Sequence, residues 1–276
     1  MKISEIIQKL IDFHPPIDET RTTDVVKWGD PDQECTGIVV TCFASADVIR
    51  KTARLGANLL IVHEPLFWTH EDETDWLADS AVFAEKARLL DDAGIVVWRD
   101  HDHIHGGDPG HDLKHMDYIF YGIMQELGWE KYKLDYPNKP LLFAIPETDA
   151  ETLGRELMQK LGLKGLRIMG DRHTMVSKVF LCEHIRDHDF EEKDKILKAE
   201  LEDIDALIPL EIIDWTLAAF VRDCSQLGHP KVMYNVGHFN FEELGMKYMT
   251  HYLPELIGGA VRVTYIPSGD SFDFII

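Results

Sequence analysis

The stretch TGIVVTCFASADVIRKTARLGANLLIVHEPLFW (residues 36–68) decides the fold. Its first part, GIVVTCF (37–43), and its last, ANLLIVH (57–63), are short aliphatic runs rich in Val and Ile, and read as buried strands. Between them, residues 46–55 read as a helix with Asp47 in the first turn, where a helix dipole favours an anion. Two strands joined by a helix predict a βαβ unit with parallel strands.

The same alternation continues on both sides. Residues 3–13 read as an amphipathic helix that stops before Pro15-Pro16. Beyond the loop HEPLFWTHEDETD come a helix at 76–93 and a third strand, GIVVWRD (94–100). Residues 116–128 read as a helix, and after the PNKP turn LLFAI (141–145) is a strand, 149–162 a helix and LRIM (166–169) a short strand. The second half then runs KVFLCE (178–183), a helix at 189–201, ALIPLEII (206–213), a helix at 215–226 and KVMYNVGHF (231–239). A helix from Asn240, taken as its N-cap, to 256 and the strand VRVTYI (261–266) close the chain. The expected fold class is α/β, two lobes with mixed, mainly parallel sheets: residues 1–129 the first lobe, and 130–276 a connecting segment with the second.

Composition narrows the function. With 45% hydrophobic and 28% charged residues the 276-residue chain is that of a water-soluble globular protein. It has no apolar run long enough to span a bilayer and no signal-peptide pattern at its start, so the cytoplasm is the expected compartment. The formal net charge of −21 repels phosphate backbones and anionic membranes, so neither nucleic acid nor membrane is an expected partner. A phosphorylated small molecule stays open, because a bound metal inverts the local field. The four cysteines, Cys35, Cys42, Cys182 and Cys224, form no CxxC pair, and Cys42 and Cys182 sit inside strand-like runs as small hydrophobes.

Polar residues gather where the strands end. His63 ends the second strand, Asp100 and His101 the third, and His238 the strand KVMYNVG. In open α/β sheets ligands collect at the carboxyl ends of strands, which points to a single shared site. Three segments carry the chemistry. In HEPLFW (63–68) the adjacent His63 and Glu64 leave a strand and Pro65 stiffens the turn. The segment RDHDHIHGGDPGHDLKH (99–115) packs His101, His103, His105, His111 and His115, five of the fourteen histidines, with four aspartates into a glycine-rich loop. Imidazoles and carboxylates are the usual ligands of zinc, iron and manganese. The turn Gly106-Gly107-Asp108-Pro109-Gly110 suits a pocket rim or a plain turn. In GHFNFEE (237–243), Gly237 permits a tight exit from the strand and His238 and Glu242 stand four apart.

Together these segments resemble the NIF3-like (DUF34) family. The run 36–68 is similar to that family's first strand–helix–strand, which ends in His-His-Pro; here it ends His63-Glu64-Pro65. HDHIHGG resembles its His-Thr-Asn-Leu-Asp stretch, with His101 on the histidine and His105 on the aspartate. GHFNFE resembles its Gly-His-x-x-x-Glu element, with His238 and Glu242 on the ligand pair. The stretch from LLFAIPETD to KVFLC follows the family in order and hydrophobic pattern. The resemblance implies a two-lobed α/β fold, a dinuclear metal centre of Zn, Fe or Mn, ring-shaped hexamers and a likeness to GTP cyclohydrolase type 2.

Two ligand positions depart from the family, Glu64 for histidine and His105 for aspartate, and Glu183-His184-Ile185-Arg186 stands where it has a Gly-Ser-Gly turn. The metal ligands so expected are His63, Glu64, His105, His238 and Glu242, binding one or two divalent ions per chain, with His101 as proton carrier. Metal-assisted hydrolysis of an unidentified small molecule is the expected chemistry. A non-catalytic metal-binding or scaffold protein, or a metal-free protein whose histidines sense pH, are the alternatives. Neither GxxxxGK[ST] nor GxGxxG occurs, so no nucleotide motif is present.

Overall fold

A computed structural model describes residues 1–106, 116–134, 139–185 and 189–275, without the side chains of 189–192 and 201. His111, His115, the Asp108-Pro109-Gly110 turn, the first half of the PNKP turn and Arg186 lie outside the described residues. Contacts divide the chain into two compact units: Met1–Gly122 with Glu243–Ser268, and Ile123–Glu242 with Gly269–Ile276.

The first unit is built on a five-stranded sheet. Its strands are β1 (Val26–Trp28), β2 (Ile38–Thr41), β3 (Leu59–Val62), β4 (Val96–Arg99) and β10 (Val263–Tyr265), in the order β1-β4-β3-β2-β10. β10, β2, β3 and β4 run parallel, and β1 closes the edge antiparallel to β4. All residues of β2, β3 and β4 are buried, which is why they read as unbroken apolar runs. The helices are α1 (Ile3–Phe13), α2 (Ala46–Arg54) and α3 (Ala81–Ala93). Ser45 caps α2 by accepting from the Val48 amide, and Ser80 caps α3 by accepting from that of Phe83. The helix expected from 76 therefore starts at 81, after a single 3-10 turn at Asp75–Leu77. Val39, Val48, Leu60, Val62, Phe67, Leu90 and Val97 form the core on one side of this sheet.

The second unit has the sheet order β5-β7-β8-β9-β6, from β5 (Leu142–Asp149), β6 (Arg167–Met169), β7 (Met175–Glu183), β8 (Ala206–Pro209) and β9 (Val232–Asn235). β7, β8 and β9 are parallel, and β5 and β6 flank them antiparallel. α5 (Ala150–Leu161) is capped by Asp149 and ended by Gly162 in the left-handed region; α6 (Asp189–Leu201) and α7 (Leu217–Gln226) follow. The strand expected over 206–213 stops at Pro209, because proline has no amide to donate to the ladder.

Two further helices, α4 (Tyr118–Leu127) and α8 (His238–Leu256), complete the described α-helices, and a 3-10 turn at Glu130–Tyr132 follows α4. Their first-unit parts cross closely: a Cβ on Gly122 would lie 2.9 Å from the Gly245 Cα, and one on Gly245 would lie 2.7 Å from the Ile119 Cα. No described helix is long and apolar enough to cross a membrane.

Candidate metal centre

In the first unit the polar residues sit where parallel strands end. His63 follows β3, and its amide and that of Glu64 both donate to the Cys42 carbonyl, which turns the chain sharply out of the sheet. Three buried charged groups then fix the loop. Arg99, the last residue of β4, donates to the carbonyls of His63 and His70. Lys86 donates to the Leu66 carbonyl, and Asp72 accepts from the amides of Leu66 and Phe67. Glu64 is buried beside His63.

The histidine turn after β4 is organised by Asp24, a buried carboxylate just before β1. Its oxygens accept from the amides of His101, Asp102 and His103 and from the His103 ring, all at 2.7–2.9 Å. Residues 101–106 are thereby held as a compact turn with His101 and His105 one helical turn apart, the His105 amide donating to the His101 carbonyl.

Three imidazoles come together on this frame. The rings of His63 and His101 stack with centroids 4.7 Å apart, and His105 stands 5.0 Å from the first and 5.2 Å from the second. Each offers one ligand atom within 4.8 Å of the others'. Every one of the three has its Nδ1 held by an oxygen. The His63 Nδ1 donates to the Asp100 carbonyl at 3.0 Å, that of His101 to Asp102 at 2.8 Å, and that of His105 to Asp117 at 3.0 Å. A carbonyl or carboxylate can only accept, so Nδ1 carries the proton and Nε2 is left as the ligating nitrogen in all three. The acceptors are fixed in turn: Asp117 also accepts from the amides of Ile119 and Phe120, and Asp102 from Thr22 and Thr23. His70 lies at the rim, its ring 5.5 Å from that of His101.

The charges suit a cation. Burial lowers the His101 pKa to about 4 against the pull of Asp102, and the neighbouring His63 and His105 lower it further, so the ring is neutral at pH 7. Burial opposes ionisation of Asp102, but hydrogen bonds from His101, Thr23 and Thr22 outweigh it and hold the carboxyl well below the usual range. His103 differs: desolvation lowers its pKa, yet Asp24 and Glu19 on its two nitrogens raise it to about 9. With Asp24 on one ring nitrogen and Glu19 on the other, it pins the turn.

In the second unit the residues again follow parallel strands: His184 after β7, Glu211 after β8 and His238 after β9. The last helix starts at His238, not at the expected cap Asn240, because Gly237 (φ +96°) turns the chain before it. His238 and Glu242 are therefore one turn apart on one helix face, Nε2 to Oε2 3.0 Å. Glu211 Oε1 accepts from His184 Nδ1 at 2.6 Å and lies 3.7 Å from His238 Nδ1, while Oε2 accepts from the Ile185 amide. Burial opposes ionisation of Glu211; the two imidazoles and that amide outweigh it and hold its carboxyl well below the ordinary range.

Of the residues singled out from sequence, His63, His101 and His105 share one cluster, with Glu64 next along the chain, and His238 and Glu242 are paired. Asp24, Asp117 and Glu211 were not singled out, and His184 was noted only as part of a departure from the family's Gly-Ser-Gly turn. For His184 the signal was its place just past the run 178–183; Glu211 lay inside the strand expected over 206–213, and for Asp24 and Asp117 no sequence pattern distinguishes them from surface aspartates.

A two-unit α/β protein with histidines and carboxylates gathered at the carboxyl ends of parallel strands is the class that fold and geometry define. Residues 1–98 match the family described as Duf34/NIF3 (NGG1p interacting factor 3). The match covers the first 98 of the 276 residues, and it is through this part that the chain is similar to the NIF3-like proteins. Its fold is similar to that of the Staphylococcus aureus hypothetical protein SA1388 (TM-score 0.70, 14% identity, 100% of this chain and 99% of that one). It is likewise similar to a Bacillus cereus protein related to NIF3 (TM-score 0.67, 13% identity, 100% and 99% covered). Reduced HcgD from Methanocaldococcus jannaschii gives a TM-score of 0.60 at 16% identity, with 96% and 97% covered. No curated protein matches the sequence.

Proposed function

We propose that the chain is a metal-dependent hydrolase of the NIF3-like family, binding one or two divalent ions per chain. One observation carries this reading: three neutral-capable imidazoles, His63, His101 and His105, each with Nδ1 anchored on an oxygen, turn three ligand atoms to within 4.8 Å of one another. This donor set fits zinc, iron or manganese, whose catalytic sites take three protein ligands and keep a further position open. His101, expected from sequence as a proton carrier, is read here as the third ligand. The family pattern proposes Glu64, His238 and Glu242 as further ligands and a homohexameric assembly; the cytoplasm is proposed from the sequence composition.

A bound ion supplies Lewis acidity and activates water for attack on a carbonyl, phosphoryl or ring carbon. The chain's own residues do the rest. Asp100 (through its carbonyl), Asp102 and Asp117 hold the three rings in one tautomer. Arg99 and Asp24 fix the two backbone segments that carry them, so the rings need no reorganisation when a substrate arrives. His70 at the rim is placed to accept a proton from the site.

The test is a panel of phosphatase, phosphodiesterase and cyclohydrolase substrates with added Mn²⁺, Zn²⁺ or Fe²⁺. A metal-dependent turnover that His105→Ala abolishes is the expected result. Metal binding without turnover on any of the three classes would move the chain to the non-catalytic metal-binding proteins.

A further inference from the structure

We propose that His14, Asp100 and Tyr252 hold a divalent cation inside the first unit, in a closed structural site that ties α1 to the end of β4 and to the first-unit part of α8. None of the three belongs to the ligands proposed for the hydrolytic centre, so the inference goes beyond that reading and does not depend on it.

A set of buried polar atoms carries the proposal. Both ring nitrogens of His14, both carboxylate oxygens of Asp100 and the Tyr252 hydroxyl are buried with no hydrogen-bond partner among the described residues. Buried polar groups are otherwise nearly always paired. The His14 and Asp100 side chains are each 0% exposed, and His14 Nε2 lies 3.5 Å from Asp100 Oδ2. A hydrogen bond between an imidazole and a carboxylate closes to about 2.7–2.9 Å, so this pair does not form one. Two ligands of one tetrahedral ion stand about 3.4 Å apart when the metal bonds are about 2.1 Å. The observed spacing is that of two ligands, not of a donor and its acceptor.

Charge points the same way. Asp24 and Asp100 are both buried and lie together with His103. The acceptor directions of Asp24 are taken by three amides and the His103 ring. Even with that ring protonated, two carboxylates leave one negative charge where water does not reach, which is strongly unfavourable. Protonating His14 would balance it, but would leave two N–H groups without acceptors, a poor geometry for a buried ion pair. An ion instead uses the lone pairs: His14 Nε2, both oxygens of Asp100 and the Tyr252 hydroxyl, which burial and the Asp100 charge keep protonated. Nitrogen and oxygen donors of this kind suit zinc, iron or manganese. The rings of Phe13, Tyr118 and Tyr252 stand 5.2, 5.6 and 6.5 Å from that of His14 and wall it in, so the site is closed, as structural metal sites are.

The experiment uses the full chain, stripped with chelator and titrated with Co²⁺, with equivalents counted per chain and folding followed by circular dichroism. Asp100 touches His63 only through its carbonyl, which Asp100→Asn keeps. His14→Phe and Asp100→Asn are each expected to lose one equivalent that His105→Ala retains. If both fold and bind as many equivalents as the wild type, the proposal is wrong. Should either fail to fold, Tyr252→Phe decides: it removes only a hydroxyl and is expected to weaken that equivalent by about tenfold, and unchanged affinity contradicts the site. If the wild type binds one ion that only His105→Ala removes, the buried site fails while the proposed function stands. If His14→Phe loses an ion and His105→Ala loses none, the buried site stands and the hydrolytic reading fails. A wild type that binds no ion overturns both.

Discussion

Asp102 and Asp117 show how much of the candidate centre rests on residues that touch no ion. Each fixes the proton on an imidazole Nδ1 and so decides which nitrogen can bind metal. Asp102→Asn keeps an acceptor but removes the charge, and should weaken metal binding by about tenfold to a hundredfold. Competition against a chromophoric chelator measures this, and unchanged affinity would remove Asp102 from the account. Positions 64 and 105 are linked in another way: relative to the family pattern a histidine has become Glu64 and an aspartate His105, so the inventory of imidazoles and carboxylates is conserved. Glu64→His and His105→Asp should each bind less metal, and the double variant should recover. A double variant no better than the singles would mean that the two changes are independent.

Lys86 makes the residue-scale case for stability. It is 5% exposed, bonded to the Leu66 carbonyl and set over the rings of Phe43, Phe67 and Trp68, and burial lowers its pKa from 10.5 to about 8. Between those two values the unfolded chain holds a proton that the folded chain has released, so stability rises with pH across that window. Going from pH 7.5 to 9.5 should add on the order of 1–2 kcal/mol to the unfolding free energy, and Lys86→Met should flatten that rise. Denaturant titrations at the two pH values decide it; equal slopes in wild type and variant would contradict it.

At the scale of elements, the helix–strand alternation was legible because parallel strands buried on both faces leave continuous aliphatic runs, as 37–43, 57–63 and 94–100 do. What was not legible follows from tertiary context. β1 is three half-buried residues, Val26–Trp28, whose strand character comes from pairing with β4 and not from their own pattern. The start of α8 depended on the backbone of Gly237, which no periodicity reports. The crossing of α4 and α8 is set by glycines. Gly245→Ala would put a Cβ 2.7 Å from the backbone of Ile119, and should cost about 1–3 kcal/mol as the helices are forced apart. Thermal unfolding measures that loss, and an unchanged midpoint would show that the helices part freely.

For the whole molecule, the sequence made the candidate ligands legible only as residues at strand ends. His63, His101 and His238 could be placed there because strand termini are readable from hydrophobic runs. The partners that hold His101, His105 and His238, namely Asp24, Asp117 and Glu211, come from 12 to 77 residues away along the chain, and only folding brings them close. The acidic surface makes self-association a demanding proposal, since a net charge of −21 opposes it. The hexamer proposed from the family pattern therefore predicts a mass near six times 31.7 kDa by light scattering, and a monomer at micromolar concentration would contradict it.

The central claim is that His63, His101 and His105 hold a divalent ion. Elemental analysis of the full chain, purified without chelator, against the triple variant His63→Ala/His101→Ala/His105→Ala tests it most directly. One fewer Zn, Fe or Mn per chain is expected in a variant that keeps its circular dichroism; an equal metal content in the two proteins, or none in the wild type, would rule out an ion on these three histidines.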